Sequence, residues 1–149
     1  MLRIDEDVII TNFKSLEHLL GLDLVWKNEA KRDLDLLSPT NIISNMETIN
    51  GFCEGDKSFC KKVVAAVKSS PVLYRGVQNT RIIQFAKEKE TKLGKFHFTD
   101  DDSQFDIRNK TEAKRFLDLI SDNVLKSELT DEDYLVKAKD ELKVNKPSK

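Results

Sequence analysis

At 149 residues the chain has the length of one domain, able to bury roughly two thirds of its unfolded surface. Charged residues make up 34% of it and hydrophobic residues 39%, the balance of a folded, soluble protein. No apolar run approaches the ~20 residues of a membrane helix, and the opening MLRIDEDVII lacks the basic region and long apolar core of a secretory signal.

In chain order, Val8-Ile9-Ile10 reads as a short buried strand ending at Thr11-Asn12. Phe13, Leu16, Leu19 and Leu20 recur at helical spacing up to Gly21, and Trp26, Ala30, Leu34 and Leu37 mark a second helix. Ser38-Pro39 signals the start of a third, with Ile42, Ile43, Met46 and Ile49 inward and Gly51 ending it. Asp56 caps a helix to about Lys68, with Phe59, Cys60, Val63, Val64 and Val67 buried and Lys57, Lys61, Lys62 and Lys68 facing water together.

Ser69-Ser70-Pro71 breaks that helix, Val72-Leu73-Tyr74 is expected as a strand, and Gly76 lies in the turn after it. Asn79 or Thr80 caps a helix carrying Ile82, Ile83 and Ala86, stopped at Gly94. Phe96-His97-Phe98 and Phe105-Asp106-Ile107 alternate about an acidic turn and predict a hairpin over 96–107. Thr111 caps a helix carrying Phe116, Leu117 and Ile120, and Thr130-Asp131-Glu132-Asp133 opens a last one carrying Leu135, Ala138 and Leu142. The expected fold class is α+β, mostly helical with about four short strands. Residues 1–143 form one domain and 144–149 a disordered tail.

Little catalytic chemistry survives inspection. His18 and His97 are far apart, and neither has a nucleophile–base arrangement around it. Cys53 and Cys60 are too widely spaced for a usual zinc site and read as free thiols of a reducing cytoplasm. Asp100-Asp101-Asp102 lacks the spacing of a calcium loop and reads as a solvated turn. Glu90-Thr91-Lys92 has the E-x-K form of one nuclease class but falls at a helix end rather than on a strand. Leu73-Tyr74-Arg75-Gly76 resembles the arginine motif of ADP-ribosyltransferases, with Glu88 and Glu90 supplying an E-x-E, yet the strand and the residues that family needs between them are missing. No catalytic residue, metal ligand or cofactor is assigned, and a metal-dependent nuclease is the nearest enzymatic alternative.

The net charge of −1 conceals an asymmetry, a basic middle between acidic ends. Residues 1–56 carry five Lys/Arg against eleven Asp/Glu, residues 57–95 ten against two, and residues 96–149 ten against thirteen. The basic middle points to an anionic partner, nucleic acid first, with Lys57, Lys61, Lys62, Lys68, Arg75 and Arg81 as the phosphate contacts. The competing account is that these side chains solubilise helix faces and pair with the acidic ends.

From Phe96 to Leu142 the wording is distinctive: an acidic-turned hairpin, a helix ending FLDLISDN, then VLKSELTDEDY and KAKDEL. With Val8–Asn12, Phe13-Lys14-Ser15-Leu16-Glu17 and Lys61-Lys62 upstream, it resembles the C-terminal portion of a domain-of-unknown-function family. That family includes the effector subunit of the two-gene Kiwa antiphage defence system of bacteria. The resemblance implies a cytoplasmic DNA-binding module of a defence effector, making sequence-independent phosphate contacts without catalysis of its own. It also implies a separate membrane-embedded partner subunit able to recruit it to the membrane. The chain starts close to the first strand, so it reads as the C-terminal part of a longer protein or as a shorter relative. The alternative function is a protein-interaction or dimerisation module without nucleic acid, in which Trp26, Phe52 and Tyr74 supply an exposed face and the acidic and basic segments pair between copies of a homo-oligomer.

Overall fold

Gly21 takes the left-handed conformation at φ 64°, which an L side chain resists, and a helix opens directly after it. The computed structural model describes residues 2–4, 7–9, 16–17, 19–126 and 133–135. Helix α1 (Leu22–Leu37) buries Ala30, Leu34 and Leu37. It packs on α3 (Lys57–Lys68), whose buried stripe is Phe59, Cys60, Val63 and Val64. Helix α3 packs in turn on α7 (Lys110–Ile120) through Ala113, Phe116, Leu117 and Ile120. Between these long helices lie α2 (Met46–Gly55), α4 (Pro71–Tyr74), α5 (Asn79–Glu88) and α6 (Glu90–Leu93).

The α+β expectation is overturned: the body from Leu22 to Ile120 is helical and contains no sheet, and the only described strands are short ones outside it. Val72-Leu73-Tyr74 is a helical turn. The Ser70 hydroxyl caps it by accepting from the Leu73 amide at 3.0 Å, and Pro71 presets the first helical φ, so local start chemistry overrides strand propensity. The 96–107 hairpin does not form a ladder, since only Phe98 and Phe105 bridge. Two cross-strand bonds flank that bridge, from the Thr99 amide to the Gln104 carbonyl at 3.0 Å and from the Asp106 amide to the His97 carbonyl at 2.9 Å, while Phe105 also pairs with Ile42–Ser44: its amide donates to the Ile42 carbonyl at 2.8 Å, and its carbonyl accepts from the Ser44 amide at 3.0 Å. The phenylalanine alternation there records core burial rather than a sheet. Phe105 stacks against Phe96, Phe98 and Phe116 at centroid distances of 5.3, 5.1 and 5.1 Å.

Other boundaries move for identifiable reasons. Ser38-Pro39 opens only a 3₁₀ turn (Ser38–Thr40), because Asn41 turns left-handed at φ 51° and ends it. Ile42 and Ile43 are therefore buried in an extended segment rather than on a helix, and Gly51 lies inside α2. The cap of α7 is Asn109, whose carboxamide oxygen accepts from the Glu112 amide at 2.9 Å, not Thr111. Two two-stranded ribbons of three-residue strands flank the helical body in sequence: β1 (Leu2–Ile4) with β2 (Asp7–Ile9), and β3 (Val124–Lys126) with β4 (Asp133–Leu135). Asp133–Leu135 is thus a strand where a helix was expected. Phe13, His18, Ala138, Leu142 and the expected tail 144–149 lie outside the described residues.

Candidate interaction surface

The amphipathic pattern of α3 puts its lysines on the flanks of the buried stripe, and the neighbouring helices bring carboxylates to both flanks. On the α1 side, Lys57 Nζ reaches Glu17 Oε2 at 2.8 Å and Asp23 Oδ1 at 2.7 Å. Lys61 pairs with the other oxygen of Glu17 and lies 5.2 Å from the centre of the Trp26 ring. One helical stretch later, Lys68 pairs with Glu29. The buried Asp33 stands beside it, its Oδ2 without a hydrogen bond and 3.9 Å from Lys68 Nζ. On the α7 side, Lys62 Nζ bonds Asp118 at 2.8 Å.

Titration behaviour follows these contacts. Hydrogen bonds from Lys57 and Lys61 hold the Glu17 carboxyl below its usual range, and Lys68 does the same for Glu29. Asp23, and then Glu17, raise the Lys57 ammonium above its usual value. Of the six basic residues expected to bind phosphate, Lys57, Lys61 and Lys68 thus face acids of the N-terminal part, while Lys62 faces α7. They do not gather on one open face.

Arg75 and Arg81 lie elsewhere, on a cleft between α4, α5 and the C-terminal end of α7. The cleft has a volume of about 210 Å³. Buried or half-buried Val72, Ile82, Phe85 and Leu119 supply its apolar lining, and exposed Arg75, Val77, Arg81 and Asp122 complete it. Tyr74, next to Arg75, is 93% exposed. The sequence flagged Tyr74 and both arginines separately. It could not join them to Phe85 and Leu119, because only tertiary folding brings α4, α5 and the end of α7 to one cleft.

Residues 1–130 match the family described as Kiwa protein KwaB-like. The chain belongs to that family. It is similar to the Kiwa protein KwaB of Escherichia coli O55:H7 (strain RM12579 / EPEC), at 30% identity over 141 residues. That match covers 93% of this chain and 44% of the relative, so the chain spans less than half the relative's length. No solved structure matches it. Membership ties this KwaB-like chain to the Kiwa antiphage defence system.

The other polar features of the KwaB-like chain are accounted for by structure. Glu112, buried at the start of α7, accepts from the His97 amide at 2.6 Å and the Arg108 amide at 3.0 Å, and its Oε1 is 3.1 Å from His97 Nδ1. It fastens the 96–108 segment to the helix. Cys60 Sγ donates to the Cys53 carbonyl at 3.0 Å, and both cysteines are buried; burial and the adjacent Cys60 push the Cys53 thiol up to about 12, so Cys53 is not an activated nucleophile. Asp101 is held down at about 2 by Thr99 and Ser103, which donate to it within the turn, and Asp102 pairs with Lys87 at 2.8 Å. Among the described residues no three His, Cys, Asp or Glu side chains converge as metal ligands, and no helix is long and apolar enough to cross a membrane.

Proposed function

We propose that this chain is an interaction module of an antiphage defence effector, without catalysis of its own, that docks on a protein partner through Tyr74, Arg75, Val77 and Arg81. One observation carries this reading: the α3 lysines are committed to carboxylates of the same chain, whereas Arg75 and Arg81 lie exposed on an apolar cleft. Tyrosine and arginine dominate protein–protein hot spots because each joins a large contact area to a polar end. The partner implied by the family resemblance is the membrane-embedded subunit. Coexpression followed by detergent extraction tests the reading. Wild-type chain should copurify with that subunit, and Tyr74→Ala/Arg81→Glu should lower the affinity about tenfold or more. Undiminished recovery of the double variant would remove the docking surface.

A second reading is DNA binding through phosphate contacts, supported by the same two guanidinium groups, which suit phosphate as well as carboxylate. The four lysines contribute less on this reading, because each must first give up an ion pair. Retention of a labelled duplex on filters should then fall steeply between about 50 and 200 mM salt and be weakened by Arg75→Ala/Arg81→Ala. Salt-independent retention would sink the phosphate contacts.

A further inference from the structure

We propose that Glu17 masks a phosphate-binding stripe on α3, and that the turn carrying it swings away at Gly21 to open Lys57 and Lys61 to a nucleic-acid duplex. The proposal rests on the second reading above and adds to it a contact within the chain that holds this surface closed.

The stripe follows from helical geometry. Lys57, Lys61 and Lys68 fall within about 40° of one another around α3 and span about 16 Å of its length. One DNA strand presents about five phosphates over that distance. Each lysine is turned to a carboxylate that precedes α3 in the chain: Lys57 to Glu17 and Asp23, Lys61 to Glu17, and Lys68 to Glu29. The two oxygens of Glu17 thus occupy two ammonium groups, as the oxygens of a phosphate lying across them would. Lysine is a compact point charge that binds phosphate as well as carboxylate.

The Glu17 turn is held differently from the acids of α1. It is closed by the Leu20 amide, which donates to the Leu16 carbonyl at 2.9 Å. Of its described residues Glu17 alone is buried, at 3% exposure, while Leu16 is half-buried and Leu19 and Leu20 are 71% and 59% exposed. Its hold on α3 is therefore chiefly ionic, whereas Glu29 sits on a helix anchored by buried Ala30 and Leu34. Gly21, left-handed at φ 64° and with open space where a Cβ would stand, joins the turn to α1 and can rotate without disturbing that anchor. Opening carries the Glu17 carboxylate into water, so no unmatched charge stays behind in the body. Ion pairs of partly exposed lysines are weak and screened by salt, so a polyanion can compete for them.

Filter binding of a labelled DNA duplex to the full chain tests this. Glu17→Gln should bind about tenfold more tightly than wild type, with a log–log salt slope steeper by about one to two, the count of lysines released. Asp100→Asn, which removes the same charge from an exposed turn, should change affinity by no more than about twofold. Adding Lys57→Ala/Lys61→Ala to Glu17→Gln should cancel the gain. Should Glu17→Gln fail to fold, Glu17→Asp, one methylene shorter at unchanged net charge, carries the same comparison with an expected gain of about threefold. Equal gains from the Glu17 and Asp100 variants, or a gain that survives loss of both lysines, overturns the proposal. Wild-type retention that needs Arg75 and Arg81, with the Glu17 variants no tighter, overturns it while the nucleic-acid reading stands. No retention of the duplex by any of these proteins removes both.

Discussion

Glu112 shows how a charged residue can be wholly structural. Its two carboxylate oxygens each take a backbone amide, from His97 and from Arg108, and it is 1% exposed. Glu112→Ala leaves those amides without their acceptor and should cost roughly 2–3 kcal/mol. Glu112→Gln should also destabilise, because its amide nitrogen must face one of two donors. Thermal melts of both variants check this, and a neutral Glu112→Gln would contradict it. Gly94 is the second sensitive position. At φ 83° an added Cβ would be strained, and it would lie 2.5 Å from the Arg115 guanidinium carbon. The guanidinium can move aside but the backbone cannot, so Gly94→Ala should cost about 1 kcal/mol or slightly more, read as a lowered midpoint of denaturation. The sequence singled out Gly94 as a helix stop but gave no sign of Arg115 across it, and it offered Glu112 no role at all, since both depend on the loop folding back over α7.

Among the elements, α3 was legible and its surroundings were not. Its cap, length and buried stripe follow from Asp56 and the Phe59–Val64 spacing, because short-range rules decide them. The fate of its lysines depended on which helices pack beside it. Acids 17, 23 and 29 precede α3 by tens of residues, and only the α1–α3 packing brings them to Lys57, Lys61 and Lys68. The ion-pair ladder makes stability depend on pH with a definite sign. Glu17, Glu29 and Asp56 have lowered folded-state pKa values, the last through Lys110 and the Phe59 amide. Their contribution is present above the ordinary carboxylate range and is lost as pH falls through it. Melting temperature should therefore drop progressively below about pH 4.5. An unchanged midpoint between neutral pH and about pH 3 would show that the ladder contributes nothing to stability.

At the scale of the whole molecule, the error in fold class and the redistribution of the basic residues have one origin. Val72–Tyr74 and the phenylalanines of 96–107 were read as strands from local pattern, but tertiary contacts made the first a capped turn and tied Phe105 to Ile42 and Ser44. The same packing converts the basic middle of the chain from an open field into internal pairs, and leaves Arg75 and Arg81 beside an apolar cleft. The proposed division between structural lysines and docking arginines is tested most directly by titration calorimetry with the proposed membrane-embedded partner. Lys62→Ala, which removes one surface pair worth about 0–1 kcal/mol, should keep the affinity within about twofold of wild type. Arg75→Glu/Arg81→Glu should lose about tenfold or more, with its melting temperature nearly unchanged. The reverse pattern, affinity lost with Lys62 and kept without the arginines, would contradict the account.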